Sequence, residues 1–94
     1  MTPIKFARFE NMPKDFTGIA LFSNDDRVWY TNGKANRLDG PAVECENGSR
    51  FWYIDGRLHR ENGPAVIFAD GRRYFYIANR RIIEKAFWDK MNGV

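Results

Sequence analysis

Three short stretches alternate along the chain as strands do, and each is crowded with rings. Residues 26–31 read Asp-Arg-Val-Trp-Tyr-Thr, residues 49–54 Ser-Arg-Phe-Trp-Tyr-Ile and residues 72–77 Arg-Arg-Tyr-Phe-Tyr-Ile. This density of aromatic and β-branched residues predicts strands. Successive strand side chains point to opposite faces. Face one therefore carries Arg27, Trp29 and Thr31, then Arg50, Trp52 and Ile54, then Arg73, Phe75 and Ile77. Face two carries Val28 and Tyr30, Phe51 and Tyr53, Tyr74 and Tyr76. A sheet that meets water on one side is usually polar there. Here either both sides are covered or one displays an aromatic surface.

The three stretches belong to longer segments that align with one another. Residues 18–39, 40–62 and 63–85 match at most positions once a one-residue gap is placed early in the first. Tandem units of this length, 22–23 residues, predict a stacked array in which each unit buries its apolar face on its neighbours. Turn dipeptides mark the units. Asn32-Gly33, Asn47-Gly48, Asp55-Gly56 and Asp70-Gly71 suit tight type I′ hairpins, whose two central residues need positive φ. Asn24-Asp25 and Ala78-Asn79 hold the equivalent places with weaker turn chemistry. Between hairpins run Arg37-Leu38-Asp39-Gly40-Pro41 and Arg60-Glu61-Asn62-Gly63-Pro64. Proline donates no N–H and fixes φ, so Gly-Pro turns the chain away from the ladder.

The ends read differently. Residues 82–91 place Ile83, Phe87 and Met91 at helical spacing, with polar residues elsewhere and Asn92-Gly93 as a stop. Residues 4–9 read as one more strand, and residues 12–15 as a linking turn. The expected fold is mainly β: a single domain over 1–94, an antiparallel meander of three tandem hairpin repeats after a lead-in of residues 1–17, closed by a short C-terminal α-helix over 82–91.

Composition adds limits. Aromatics make up 16% of the 94 residues and the net charge is +3. Segment 63–85 alone carries +3, through Arg72, Arg73, Arg80, Arg81 and Lys85 against Asp70 and Glu84. This points mildly to an anionic partner and falls short of the dense basic stripe of a dedicated DNA binder. No apolar run approaches the ~20 residues that span a bilayer. The start, Met1-Thr2-Pro3-Ile4-Lys5, lacks the apolar core of a secretory signal, so a cytoplasmic setting is expected.

Catalytic and metal motifs are missing. Cys45 is the only cysteine and His59 the only histidine, which leaves no internal disulfide and no Cys-rich zinc site. Asp25-Asp26 reads as a solvated turn, and Glu44 and Glu46 as partners for cations on neighbouring strands. The expectation is a protein that is not an enzyme, with no catalytic residues, no metal and no cofactor.

One composite pattern is distinctive: Trp-Tyr-x-Asn/Asp-Gly-Lys/Arg-x-His/Asn-Arg-x-x-Gly-Pro-Ala-Val, standing as Trp29 to Val43 and again as Trp52 to Val66. With the lead-in Pro13-Lys14-Asp15-Phe16-Thr17-Gly18 and the closing helix, it resembles the MORN-like hairpin repeats of small bacterial and phage proteins. The resemblance covers residues 13–91. It implies stacked β-hairpins and a binding role, toward proteins or acidic lipids, in a group that includes antitoxin-like members. The chain departs from the pattern at Asn36, where the second copy has His59, and at Ile82 and Ile83, where it has His59 and Arg60.

Two candidate constellations follow. The column Trp29, Trp52 and Phe75 with Arg27, Arg50 and Arg73 combines flat rings with guanidiniums. Rings can stack on bases and guanidiniums can hold phosphates. The alternative is a core whose rings lie under arginine stems. The loop residues Arg37, His59 and Arg60 form the second candidate, either for binding or for bracing the Gly-Pro turn. The favoured reading is capture of an anionic nucleotide-like small molecule, as a phage-encoded protein would do to sequester a host defence signal. The competing reading is an inhibitor or antitoxin-like adaptor that binds a host protein. Pairing of open sheet edges would allow a homo-oligomer. Neither membrane association nor dedicated DNA binding is expected.

Overall fold

Glycine, asparagine and aspartate at the turns let the chain reverse every few residues, and the strands between reversals are correspondingly short. The computed structural model describes residues 2–93. Its elements are β1 (Ile4–Phe6), a 3-10 turn (Phe9–Asn11), β2 (Gly18–Phe22), β3 (Arg27–Thr31), β4 (Lys34–Ala35), β5 (Val43–Glu44), β6 (Arg50–Phe51), β7 (Tyr53–Ile54), β8 (Arg57–Leu58), β9 (Val66–Ile67), β10 (Arg73–Ile77), β11 (Arg80–Ile82) and α1 (Glu84–Met91). The main sheet runs β1-β2-β3-β5-β6-β9-β10-β11, with β4 paired to β3, and β7-β8 forms a separate ribbon. The molecule is elongated, 45 × 28 × 21 Å.

The mainly β fold with a C-terminal helix is as expected, with four corrections. The sheet is mixed, because β1 pairs with β2 in parallel, Ile4 opposite Ala20. Of residues 4–9 only 4–6 are strand. The middle strand breaks at Trp52, whose N–H donates to Ala65 O (2.8 Å) while its carbonyl accepts from His59 N–H (3.0 Å). Trp52 hands the chain from the main sheet to the β7-β8 ribbon. The helix begins at Glu84, since Ile82 pairs with Phe75 in the sheet and Ile83, the residue before the helix, is 73% exposed.

The turns divide into two kinds. Residues 32–33, 55–56 and 78–79 have positive φ at both positions, which makes them the two-residue type I′ hairpins. Residues 24–25, 47–48 and 70–71 have it only at the second, so Asn47-Gly48 and Asp70-Gly71 are not the type I′ turns expected of them. There the loop holds three residues, with N–H bonds from Asp25 to Phe22 O, Gly48 to Cys45 O and Gly71 to Phe68 O. Asn24, Asn47 and Asp70 each accept, through Oδ1, the N–H two residues on (2.9–3.1 Å). Their side chains do the turning, so only the following residue needs left-handed backbone.

Side-chain acceptors also tie each hairpin to the next. Asp26 Oδ1 accepts Glu46 N–H, and Ser49 Oγ accepts Ala69 N–H, both at 3.0 Å. On the type I′ side, Asn36 Oδ1 accepts Asp55 N–H (2.8 Å) and His59 Nδ1 accepts Ala78 N–H (3.1 Å). These bonds fix register where strands are only two residues long. Ile19, Ala42 and Ala65 lie buried on face one, and Ala20, Val28 and Val66 on face two. Phe87 is fully buried and anchors α1 over Phe75, with ring centroids 4.6 Å apart. On face two, Phe68 meets Phe51 and Tyr74 edge-on, each at 5.9 Å. Both sides of the sheet are thus covered in part, by different means.

Candidate functional site

Chain between β4 and β5, and again between β8 and β9, leaves the sheet and folds back over face one. Each loop carries an arginine that returns to the tryptophan behind it. The Arg37 guanidinium carbon lies 3.8 Å from the Trp29 ring centroid, and that of Arg60 lies 3.9 Å from Trp52. Stacking at this range is a cation–π contact, reaching about 2 kcal/mol where water is excluded. Each guanidinium also donates through Nη1 to a proline carbonyl, Arg37 to Pro41 (3.1 Å) and Arg60 to Pro64 (3.0 Å). Its other side meets glycine. A Cβ on Gly40 would stand 3.0 Å from Arg37 Cζ, and one on Gly63 would stand 2.9 Å from Arg60 Cζ. Tryptophan, arginine and glycine form a sandwich, and the Arg-x-x-Gly-Pro spacing is what builds it.

This arrangement corrects the expected pairing of rings and cations. Arg37 and Arg60 lie over the tryptophans, in place of Arg27 and Arg50. Arg50 is exposed, 5.9 Å from the Trp52 centroid, and Arg27 is exposed in register with Glu44. Arg73 lies 6.0 Å from Phe75 and binds Glu84 Oε2 of α1 at 2.8 Å. Phe75 itself is 3% exposed beneath the helix. The column of rings is therefore no open stacking platform: the first two are capped by arginine and the third by α1. Glu44 also departs from expectation, pairing with the loop residue Arg37 at 3.4 Å. Among the described residues no group of three or more His, Cys, Asp or Glu side chains could hold a metal ion.

Between the two loops opens a groove of about 660 Å³, lined by Arg37, Leu38, Asp39, Gly40, Trp52, Ile54, His59, Arg60, Glu61 and Asn62. It unites Arg37, Trp52, His59 and Arg60 from the expected residues. Arg27, Trp29, Arg50, Arg73 and Phe75 do not line it.

The two arginines differ in their acids. Arg37 Nε binds Asp39 Oδ1 at 3.0 Å, and its Nη1 reaches Glu44 Oε2 at 3.4 Å. At the corresponding places of the second loop stand Asn62 and Ile67. Arg60 Nε donates to the neutral Asn62 Oδ1 at 3.1 Å. The loop's one acid, Glu61, turns to His59 Nε2 at 3.7 Å. Among the described residues neither Arg60 nor Arg50 has an ion-pair partner. Burial, and then the like charge of Arg50, pull the Arg60 guanidinium below its ordinary value. The half-buried charge has its geometry satisfied and its charge unbalanced. The Asp39/Asn62 and Glu44/Ile67 differences were readable from the aligned segments, and their meaning required seeing where the arginines point.

No described helix is long and apolar enough to cross a membrane. Compared with protein families, with curated proteins and with solved structures, the chain matches none.

Proposed function

We propose that this chain is a non-enzymatic binding protein, an array of MORN-like hairpin repeats whose groove between loops 37–41 and 60–64 captures an anionic, nucleotide-like small molecule. The observation that carries the reading is Arg60: half-buried, held on Trp52, and without the two carboxylates that neutralise Arg37. An incoming phosphate supplies the missing charge and accepts the guanidinium's remaining donors. Arg50 adds attraction from nearby. Such a protein acts in the cytoplasm, including that of a phage-infected host, where sequestering a nucleotide signal would silence a defence.

The test transplants the first loop's acids into the second. Thermal shift with a panel of nucleoside mono-, di- and triphosphates and cyclic and linear dinucleotides should reveal a stabilising ligand. The Asn62→Asp/Ile67→Glu variant should fold and lose at least tenfold in affinity. No shift with any member, or equal binding by the variant, overturns the reading. A second reading, an adaptor that docks on a host protein, rests on Leu38, which stands 87% exposed at the groove. It predicts a partner lost with Leu38→Ser and retained in the acid-transplant variant.

A further inference from the structure

Beyond the groove, face one carries a second set of cations that runs along the stack. Lys34, Arg57 and Arg80 each follow a type I′ turn directly, and all three are exposed. Register places them on one face: Lys34 opposite Thr31, Arg57 opposite Ile54 and Arg80 opposite Ile77. Backbone bonds set the three hairpins side by side, Arg37 N–H to Tyr53 O and Gly56 N–H to Ala35 O, then Arg60 N–H to Tyr76 O and Asn79 N–H to Leu58 O. Two strand steps therefore separate one cation from the next, from β4 through β7 to β8 and from β8 through β10 to β11. At ~4.8 Å per strand that is a cation about every 9.6 Å.

Compensation along this column is uneven. Lys34 lies along Gly56 and reaches Asp55 Oδ1 at 3.9 Å. The position that would serve Arg57 in the same way holds Ala78, which has no charge. Among the described residues neither Arg57 nor Arg80 has an ion-pair partner.

We propose that this column is a docking surface for an acidic peptide in polyproline II conformation with a carboxylate at every third residue. A polyproline II segment turns once every three residues and advances ~3.1 Å at each, so every third side chain returns to one face after about 9.3 Å, close to the step between cations. Guanidiniums match carboxylates in forked geometry. Nucleic acid is a poorer match, because a DNA strand sets down a phosphate every ~3.4 Å of axis, about three per cation. The surface is separate from the groove and does not rest on its occupancy.

Fluorescence anisotropy at low salt tests the register. A labelled peptide with Glu at positions 1, 4, 7 and 10 among Gly and Ser is compared with a permuted peptide whose four Glu are contiguous. The spaced peptide should bind at least threefold more tightly. Arg57→Gln/Arg80→Gln should abolish that preference, and Ala78→Asp, which gives Arg57 the partner Lys34 has, should weaken binding two- to fivefold in a folded protein. Arg60→Gln should leave it unchanged. Equal binding of the two peptides, tighter binding of oligo-dT than of either, or loss of binding through Arg60→Gln overturns the proposal.

Discussion

Loops 37–41 and 60–64 share one construction and differ in charge. Both seat a guanidinium between a tryptophan and a glycine, and both bond it to a proline carbonyl. The first adds Asp39 and Glu44, and so closes its own electrostatics. The second substitutes Asn62 and leaves the charge open. What recurs in both loops is scaffold, and what differs between them is the balance of charge around the arginine. A recurring motif taken alone would credit both loops equally.

The third ring position breaks the comparison most severely, because α1 there replaces the arginine loop. Phe87→Ala removes the helix's one fully buried side chain and should cost about 3–5 kcal/mol. Urea unfolding measures it, and a loss below 1 kcal/mol would mean that the helix is not what covers Phe75. Gly63→Ala tests the sandwich itself. The added Cβ meets the Arg60 guanidinium at 2.9 Å and should cost about 1–3 kcal/mol, with Gly40→Ala moving in the same direction. Unchanged stability in both would show that the guanidinium relocates freely. The smallest effect sharpens the relation between Asn36 and His59, which accept equivalent backbone N–H groups. His59→Ala should cost about 1 kcal/mol, and His59→Asn should restore most of it. Equal loss in both variants would show that the imidazole does something an amide does not.

Much of the fold was legible because it rests on local rules. The Trp-Tyr strands, the Asn-Gly and Asp-Gly turns and the Phe87-bearing helix each follow from period and turn chemistry. The errors are tertiary. Ile82 and Ile83 fit a helical period, and a strand partner claimed Ile82 first. Asn47-Gly48 fits a type I′ turn, yet the Asn47 side chain supplied a different reversal. Trp52 fits the middle of a strand, yet there the backbone changes partners.

For the site, the sequence by itself determined the ingredients: an arginine eight residues after Trp29 and after Trp52, a Gly-Pro beyond it, and acids in one loop that the other lacks. Only the tertiary structure decided which cation covers which ring. Strand alternation places Arg50 on the same face as Trp52, but a loop can bring Arg60 closer than any strand neighbour. Alternation is a property of the local backbone. The path of a loop is set by the glycine and carbonyl it packs against, which lie close in space for reasons no period encodes.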